Sequence, residues 1–441
     1  MSSNNTAEND LITKETTVSS ESTPAITNEL TQVTSKPSEE LTPEQASAKK
    51  KTDFIQRAIW TFVMLFGFVF IISMGHIWTV LLILFCQIIT FKECIAVASQ
   101  PSVEKNLKYT KLLNWYFLVT TVYYLDGESF IHSFNHLIFT NQFLTPLATH
   151  HRFVSYGFYV MGLVFFVATL QKGHLRYQFA QLCVTHMVLL LVVFQAHLII
   201  NNIFNGMIWF LLPVLLVITN DIFAYLCGIT FGKTQLIAIS PKKTVEGFVG
   251  AWVFTSITSL ILAHILSKPL YFICPVGDLK VNALSDISCD LNPIFIQQNY
   301  RIPPVIAEFI GQEVLTVKPI YFHSLNLACF ASFIAPFGGF FASGLKRTFK
   351  VKDFGHTIPG HGGITDRIDC QFLMGSFSYL YYETFLSGNK FTVGSLLQLI
   401  VINLSSTDIE TLIGKLALYL FNLGFYSEKK YLRLIQALNS N

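Results

Sequence analysis

Charge is what this sequence has least of. Asp, Glu, Lys and Arg make up only 13% of its 441 residues, against about 25% in a soluble domain. A chain this long cannot clothe a water-facing surface from so few charges, so an ordinary soluble globular protein is excluded. No CxxC or Cys/His spacing suited to structural zinc is present. Basic residues are not interleaved with aromatics and the net charge is only +3, so nothing points to nucleic acid. No internal repeat is visible, and no basic start leads into an apolar core as in a secretory signal. Apolar residues are what the chain has in quantity. They make up 52% of it, with 41 Phe and a mean hydropathy of +0.49.

A bilayer crossing takes roughly 20 apolar residues in a helix. Runs near that length lie at 58–75, 76–96, 111–125, 153–170, 180–202, 206–228, 247–266, 323–345 and 366–387. Only helices or closed barrels satisfy the backbone in lipid, and these runs are too long for barrel strands. The expected fold is all-α: a polytopic integral membrane protein of about nine transmembrane helices with a disordered N-terminal tail. The 111–125 run is short enough to suggest a re-entrant segment.

Residues 1–52 read as that tail. Met1 to Ala48 is rich in Ser, Thr, Glu, Asn and Pro, and cannot bury enough apolar surface to fold. It is acidic and lacks Arg, unlike a mitochondrial transit peptide. Lys49, Lys50, Lys51 and Arg57 precede the first span and place the tail in the cytosol by the positive-inside rule. Residues 53–388 form the polytopic domain. Residues 389–441 are apolar only in short stretches and read as an amphipathic segment in the interface. An odd span count would leave that segment in the lumen. Six of the eight cysteines lie in or beside apolar runs. Cys274 and Cys289 fall in the polar segment 267–322, which the span count turns to the lumen. There a disulfide and two free thiols are both open.

Two polar clusters interrupt this apolar background. The first runs from Ser343 to Asp369. It holds Lys346, Arg347, Lys350 and Lys352, then Asp353, a Pro359-Gly360-His361-Gly362-Gly363 turn, and Asp366 and Asp369. One such charge at bilayer depth costs roughly 2.5–3.5 kcal/mol, so the cluster needs a reason, and phosphate with metal is the most economical. Asp366 and Asp369 are three residues apart, which on a helix puts their Cβ atoms roughly 5–6 Å apart on one face. Carboxylates that close resist joint ionisation unless a cation lies between them. Arg367 is rotated by about 100° from Asp366 and cannot easily bridge both. A divalent ion solves the problem, and Mg²⁺ is the usual partner of carboxylates and phosphate oxygens. The competing reading caps the helix with one Asp and pairs Asp369 with Lys346 or Lys352. Glycines around His361 allow backbone N–H groups to approach a phosphate, although His361 itself could serve only the turn.

The second cluster, 220–250, contains Asn220, Asp221, Tyr225, Gly228, Gly232, Lys233, Ser240-Pro241-Lys242-Lys243-Thr244, Glu246 and Gly247. Ser240 or Thr244 is suited to cap the next helix. The alternative is an anion cradle built from two Lys and a helix N-terminus. Counting spans from the tail brings both clusters to the cytosolic face.

At these residues the sequence resembles the CTP:phosphatidate cytidylyltransferase family, also called CDP-diacylglycerol synthases. The family's ordered signature appears as Ser343, Lys346-Arg347, Lys352-Asp353, Pro359, His361-Gly362-Gly363 and Asp366-Arg367-Ile368-Asp369. The eukaryotic branch adds a block matched by Asn220-Asp221, Ala224-Tyr225, Phe231-Gly232, Ser240 to Thr244 and Glu246-Gly247. Bacterial relatives carry an Asp where this chain has Gly339. Many animal relatives differ at Asn205 and Val245.

The resemblance implies transfer of CMP from CTP to phosphatidic acid, giving CDP-diacylglycerol and pyrophosphate for phospholipid synthesis. It implies Asp366, Asp369, Lys346, Arg347 and Asp353 as catalytic residues. Lys242, Lys243, Lys346, Arg347, Lys352, His361, Gly362, Gly363 and Arg367 would contact phosphate. Mg²⁺ would be held by Asp366, Asp369 and Asp221, with Asp353 as another candidate ligand. The expected partners are CTP, phosphatidic acid and the bilayer, with no nucleic acid; a homodimer is left open. The expected location is the endoplasmic reticulum membrane, multi-pass, with the active site facing the cytosol. A CTP-dependent polyprenol kinase or a prenyl-phosphate sugar-phosphate transferase would also use Asp and Mg²⁺ there, but not this ordered string. A transporter would show an inverted repeat, and none is seen.

Overall fold

Every one of the nine apolar runs is helical in the computed structural model, which describes residues 43–99, 107–133, 148–237, 240–276, 281–301, 313–387, 400, 404–425 and 427–439. The side chains of Pro241 and Lys242 lie outside that description. The chain divides into two compact units, Met1–Ala58 and Ile59–Asn441. The described part of the first is the opening of helix α1 (Pro43–Met74). Residues 43–52, assigned by composition to the tail, are therefore helical, and the rest of the expected tail lies outside the described residues.

The second unit continues with α2 (His76–Ala98), α3 (Thr110–Ser133), α4 (His151–Ala168), α5 (Leu175–Val188), α6 (Gln195–Asn205) and α7 (Ile208–Phe231). After a short hairpin of β1 (Gln235–Ile237) and β2 (Ser240–Thr244) come α8 (Val245–Leu266) and the single turn α9 (Leu270–Ile273). A second antiparallel hairpin, β3 (Gln298–Arg301) with β4 (Val314–Val317), precedes α10 (Ile320–Phe333), α11 (Pro336–Thr348) and α12 (Thr365–Tyr381). Two further helices, α13 (Ser406–Asn422) and α14 (Glu428–Asn439), follow. Among the described residues, seven helical stretches are long and apolar enough to span a bilayer. The protein is thus a polytopic all-α membrane protein.

Three runs differ in detail from their sequence reading. The 111–125 run is part of a longer helix, the 24-residue α3, which is not among those seven stretches. The helix continues through Asp126 because His197 Nδ1 lies 3.0 Å from its Oδ1, giving a carboxylate that is 2% exposed a partner. The 180–202 run carries a π-helical stretch, Leu189–Phe194, between α5 and α6. The 323–345 run breaks between α10 and α11, where Pro336 starts a new helix at a position that needs no N–H. Cys274 and Cys289 form a disulfide with Cα atoms 5.9 Å apart, which settles the alternative left open.

Packing of α12 matters most for the site. Gly375 brings it against α6 so closely that a Cβ there would lie 2.3 Å from Ile199 Cγ1. Beside it the Asn202 amide donates to the Gly375 carbonyl at 2.9 Å. Ser378 Oγ donates to Trp209 O at 2.9 Å, and Gln371 Nε2 to Val214 O at 3.3 Å. On another side the Phe377 ring stacks on Phe330 of α10. Fully buried Ile200, Ile203, Met207, Ile208, Leu212 and Leu216 form the core behind these contacts. Side-chain hydrogen bonds to main-chain carbonyls thus fix the axial position of α12, and with it the carboxylates at its N-terminal end. By contrast α1 buries only 6% of its apolar window, the pattern of a helix that faces lipid.

Candidate active site

Three chain segments converge at one end of α12. The last turn of α11 supplies Lys346 and Arg347, where cations complement the helix dipole. The helix closes with Lys350 at a φ of 54° and a hydrogen bond from Val351 N to Lys346 O at 3.0 Å, the geometry of a Schellman cap. A loop then leads to α12, whose first turns carry Asp366, Arg367 and Asp369.

Asp366 is fully engaged. Its Oδ1 accepts from Lys346 Nζ at 2.6 Å, the two side chains being 8% and 20% exposed. Its Oδ2 accepts from Phe354 N at 3.0 Å and Gly363 N at 3.3 Å. The Lys346 ammonium also lies 5.6 Å from the centroid of the Phe354 ring. Asp366 therefore ties α11, the loop and α12 together.

Asp369 points elsewhere. Its Oδ1 accepts from Cys370 N at 2.8 Å. Gly338 and Gly339 of α11 pack onto it: a Cβ at 338 would lie 2.5 Å from its backbone oxygen, and one at 339 would lie 3.4 Å from its Oδ2. The Gly339 position, an Asp in bacterial relatives, thus borders the Asp369 carboxylate directly. Asp221 of α7 is the like-charged neighbour of Asp369, and Lys243 and Arg367 are its opposite-charged neighbours. Among the described residues neither Asp221 nor Asp369 forms an ion pair. Two carboxylates from different helices therefore lie within electrostatic reach of each other, with cations nearby but none bonded among the described residues.

The turn before α12 uses most of its own hydrogen-bonding groups. Ile358 N donates to Gly362 O at 2.9 Å, and the N–H groups of His361 and Gly362 donate back to Ile358 O. Gly362 has a φ of +87°, which a side chain would resist. Arg367 Nη2 donates to His361 O at 2.6 Å. The His361 ring has Thr61 Oγ1 3.3 Å from its Nε2. Gly362 and Gly363, read from sequence as phosphate contacts, have amides already turned to Ile358 O and Asp366 Oδ2. Asp353 is half-buried against Gly362, whereas Arg347 and Lys352 are exposed at the rim.

The second cluster borders the same site. Thr244 caps α8, its Oγ1 accepting from Gly247 N at 3.2 Å, so the capping expectation holds for Thr244. Glu246 reaches back to Lys233 N at 3.0 Å, to Thr234 N and to Thr234 Oγ1, and pins the loop that follows α7. Lys243 Nζ lies 5.0 Å from the centroid of the Phe340 ring on α11. Lys242 lies outside the described side chains.

Sequence reasoning missed Glu93. It sits near the end of α2, 6% exposed. Its Oε1 accepts from Thr357 Oγ1 at 2.5 Å and Ile364 N at 3.2 Å, and its Oε2 from Thr365 N at 2.9 Å and Thr365 Oγ1 at 2.7 Å. The available signal was a carboxylate, beside Lys92, inside a strongly apolar run, and charges within a membrane span mark functional residues.

Comparison with known proteins gives the family. The Cytidylyltransferase family matches residues 55–385. A protein of Saccharomyces cerevisiae named phosphatidate cytidylyltransferase is 58% identical over 91% of this chain and 89% of its own length. Phosphatidate cytidylyltransferase 1 of Arabidopsis thaliana is 41% identical over 83% of this chain and 87% of its own length. The human protein named phosphatidate cytidylyltransferase 1 is 44% identical, over 75% and 72% respectively.

Proposed function

The chain belongs to the cytidylyltransferase family, and from that premise we propose how its residues carry out the reaction. The protein is a membrane nucleotidyltransferase that moves CMP from CTP to phosphatidate, giving CDP-diacylglycerol and pyrophosphate. In that exchange a phosphatidate phosphate oxygen bonds to the α-phosphorus of CTP, and the bond from that phosphorus to the pyrophosphate oxygen breaks. No group on the protein needs to become covalently attached, so the residues position the reactants and balance charge.

The observation that carries the site assignment is that Asp221 and Asp369 lie within electrostatic reach of each other and form no ion pair among the described residues. Asp221 and Asp369 would be the residues that hold Mg²⁺, a usual partner of carboxylates beside phosphate. Bound there, the ion would neutralise phosphate charge and stabilise the leaving pyrophosphate. Asp366 was also expected to hold metal. With Lys346 and two amides on it, its proposed part is to set the Lys346 ammonium and the 354–363 loop in place. Lys243 and Arg367 lie within electrostatic reach of Asp221, and Lys346 of Asp369; all three would hold the phosphates of CTP and of the lipid. Arg347 and Lys352, exposed at the rim, would draw in both anions. Asp353 and His361 support the turn that presents Arg367.

We further propose that this end of the helices faces the cytosol, where CTP is found, in the endoplasmic reticulum membrane. A homodimer is part of the proposal, since exposed Phe62, Phe66 and Phe70 of α1 offer a face to lipid or to a second copy. Its mass in detergent tests that point. The site is tested with purified protein, labelled CTP and phosphatidate. D221N and D369N should form no CDP-lipid while remaining folded. Near-normal turnover in either would remove the assignment. Labelling of a Cys at position 352 in sealed microsomes tests the orientation.

A further inference from the structure

Helix α2 contributes no residue to the signature, yet one carboxylate on it reaches the site. Glu93 receives four donors: two main-chain N–H groups, of Ile364 and Thr365, and two hydroxyls, of Thr357 and Thr365. A carboxylate offers about four lone-pair sites and no donor, so this partner set matches it completely. No cation is paired with it among the described residues. The first amides of α12 meet its charge instead, as helix N-terminal amides meet anions elsewhere.

The loop glycines fit the same account. A Cβ on Gly355 would lie 2.6 Å from Glu93 Oε1, and one on Gly363 would lie 2.7 Å from Oε2. A side chain at either position would have to push the carboxylate away from its donors. Asp366 holds the loop from the other side through Phe354 N and Gly363 N. The segment between Phe354 and Thr365 is therefore strung between two carboxylates on two helices. It bears Gly362 and His361, and it leads directly into Asp366 and Asp369.

We propose that Glu93 is a positioning residue for cytidylyl transfer: its charge fixes the loop and the start of α12 in the arrangement that lets Asp366 set Lys346 and brings Asp369 to the phosphates. The proposal rests on the reading of the site given above. It makes charge, not bulk, the requirement. Gln has nearly the shape of Glu, but it replaces one oxygen with an NH₂ group. Whichever way the amide is turned, two of the four donors then face a donor.

The test uses full-length protein in detergent, with E93Q compared to wild type. Three readings are taken: turnover, the Mg²⁺ concentration for half-maximal rate, and amide exchange of peptides covering 354–366. A small misplacement of catalytic groups costs about 10²-fold in rate, and E93Q should lose about that much. Its Mg²⁺ half-saturation should rise. Exchange should quicken in 354–366 and stay unchanged in α6 and α7. T365V should show a smaller loss, and adding it to E93Q should cost little more. If E93Q cannot be purified, T357V carries the test with the same three readings in milder form.

Parental turnover and Mg²⁺ dependence in E93Q would overturn the proposal. So would a loss that only follows a reduced folded fraction, with Mg²⁺ half-saturation unmoved and exchange raised everywhere. The exchange reading stands even if wild type made no CDP-lipid, an outcome that would count against the functional reading instead.

Discussion

Replacing Asp366 by Asn tests the knot that joins three segments of the site. The carboxylate accepts from Lys346 on one oxygen and from two main-chain amides on the other. Asn offers one oxygen, so either Lys346 or the amides of Phe354 and Gly363 must face an NH₂ group. The Asp366 and Lys346 side chains are only 8% and 20% exposed. Removing one partner of a buried pair costs about 3–5 kcal/mol. Partial solvent access to Lys346 argues for the lower end, about 3 kcal/mol. At about 1.4 kcal/mol per factor of ten, that is about 10²-fold in the population of the assembled loop. D366N should therefore lose about two decades of kcat in CTP incorporation. Thermal unfolding of D366N, K346M and the double variant then separates pairing from other effects. The double variant leaves no orphaned charge, so a coupling of about 1–3 kcal/mol is expected. Losses that add to within about 0.5 kcal/mol would refute the reasoning.

Three further predictions follow from the packing and the donor set. G338A should cost more than tenfold in activity, because its Cβ would lie 2.5 Å from Asp369 O, whereas G339A, 3.4 Å from the Asp369 Oδ2, should lose much less; equal losses would contradict the account. G375A should lower stability by about 1–3 kcal/mol through overpacking against Ile199, and I199V should restore part of it in thermal unfolding. C274S should lose about 3 kcal/mol, since the native bridge closes a loop with a sequence separation of 15; the difference from wild type should vanish once wild type is reduced.

Much of the architecture could be read from the chain because lipid leaves the backbone few choices. The nine runs became helices at nearly the expected positions. What escaped were local polar solutions. Asp126 looked like the end of a short run, but pairing with His197 of α6, 71 residues away, carries α3 past it. At the site, the spacing of Asp366 and Asp369 correctly put both at the start of one helix. It could not show that one would be taken by Lys346 and the loop while the other formed no ion pair among the described residues. Gly363 looked like a phosphate contact, since a glycine before a helix has that use. A side chain there would instead run into Glu93, 270 positions away, and no local pattern encodes that meeting.

The most direct test of the central claim is Mn²⁺ binding by the purified protein in the presence of CTP, followed by electron paramagnetic resonance. The account predicts that D221N and D369N lose the bound-ion signal while K346M retains it. Unchanged Mn²⁺ affinity in D369N would contradict it.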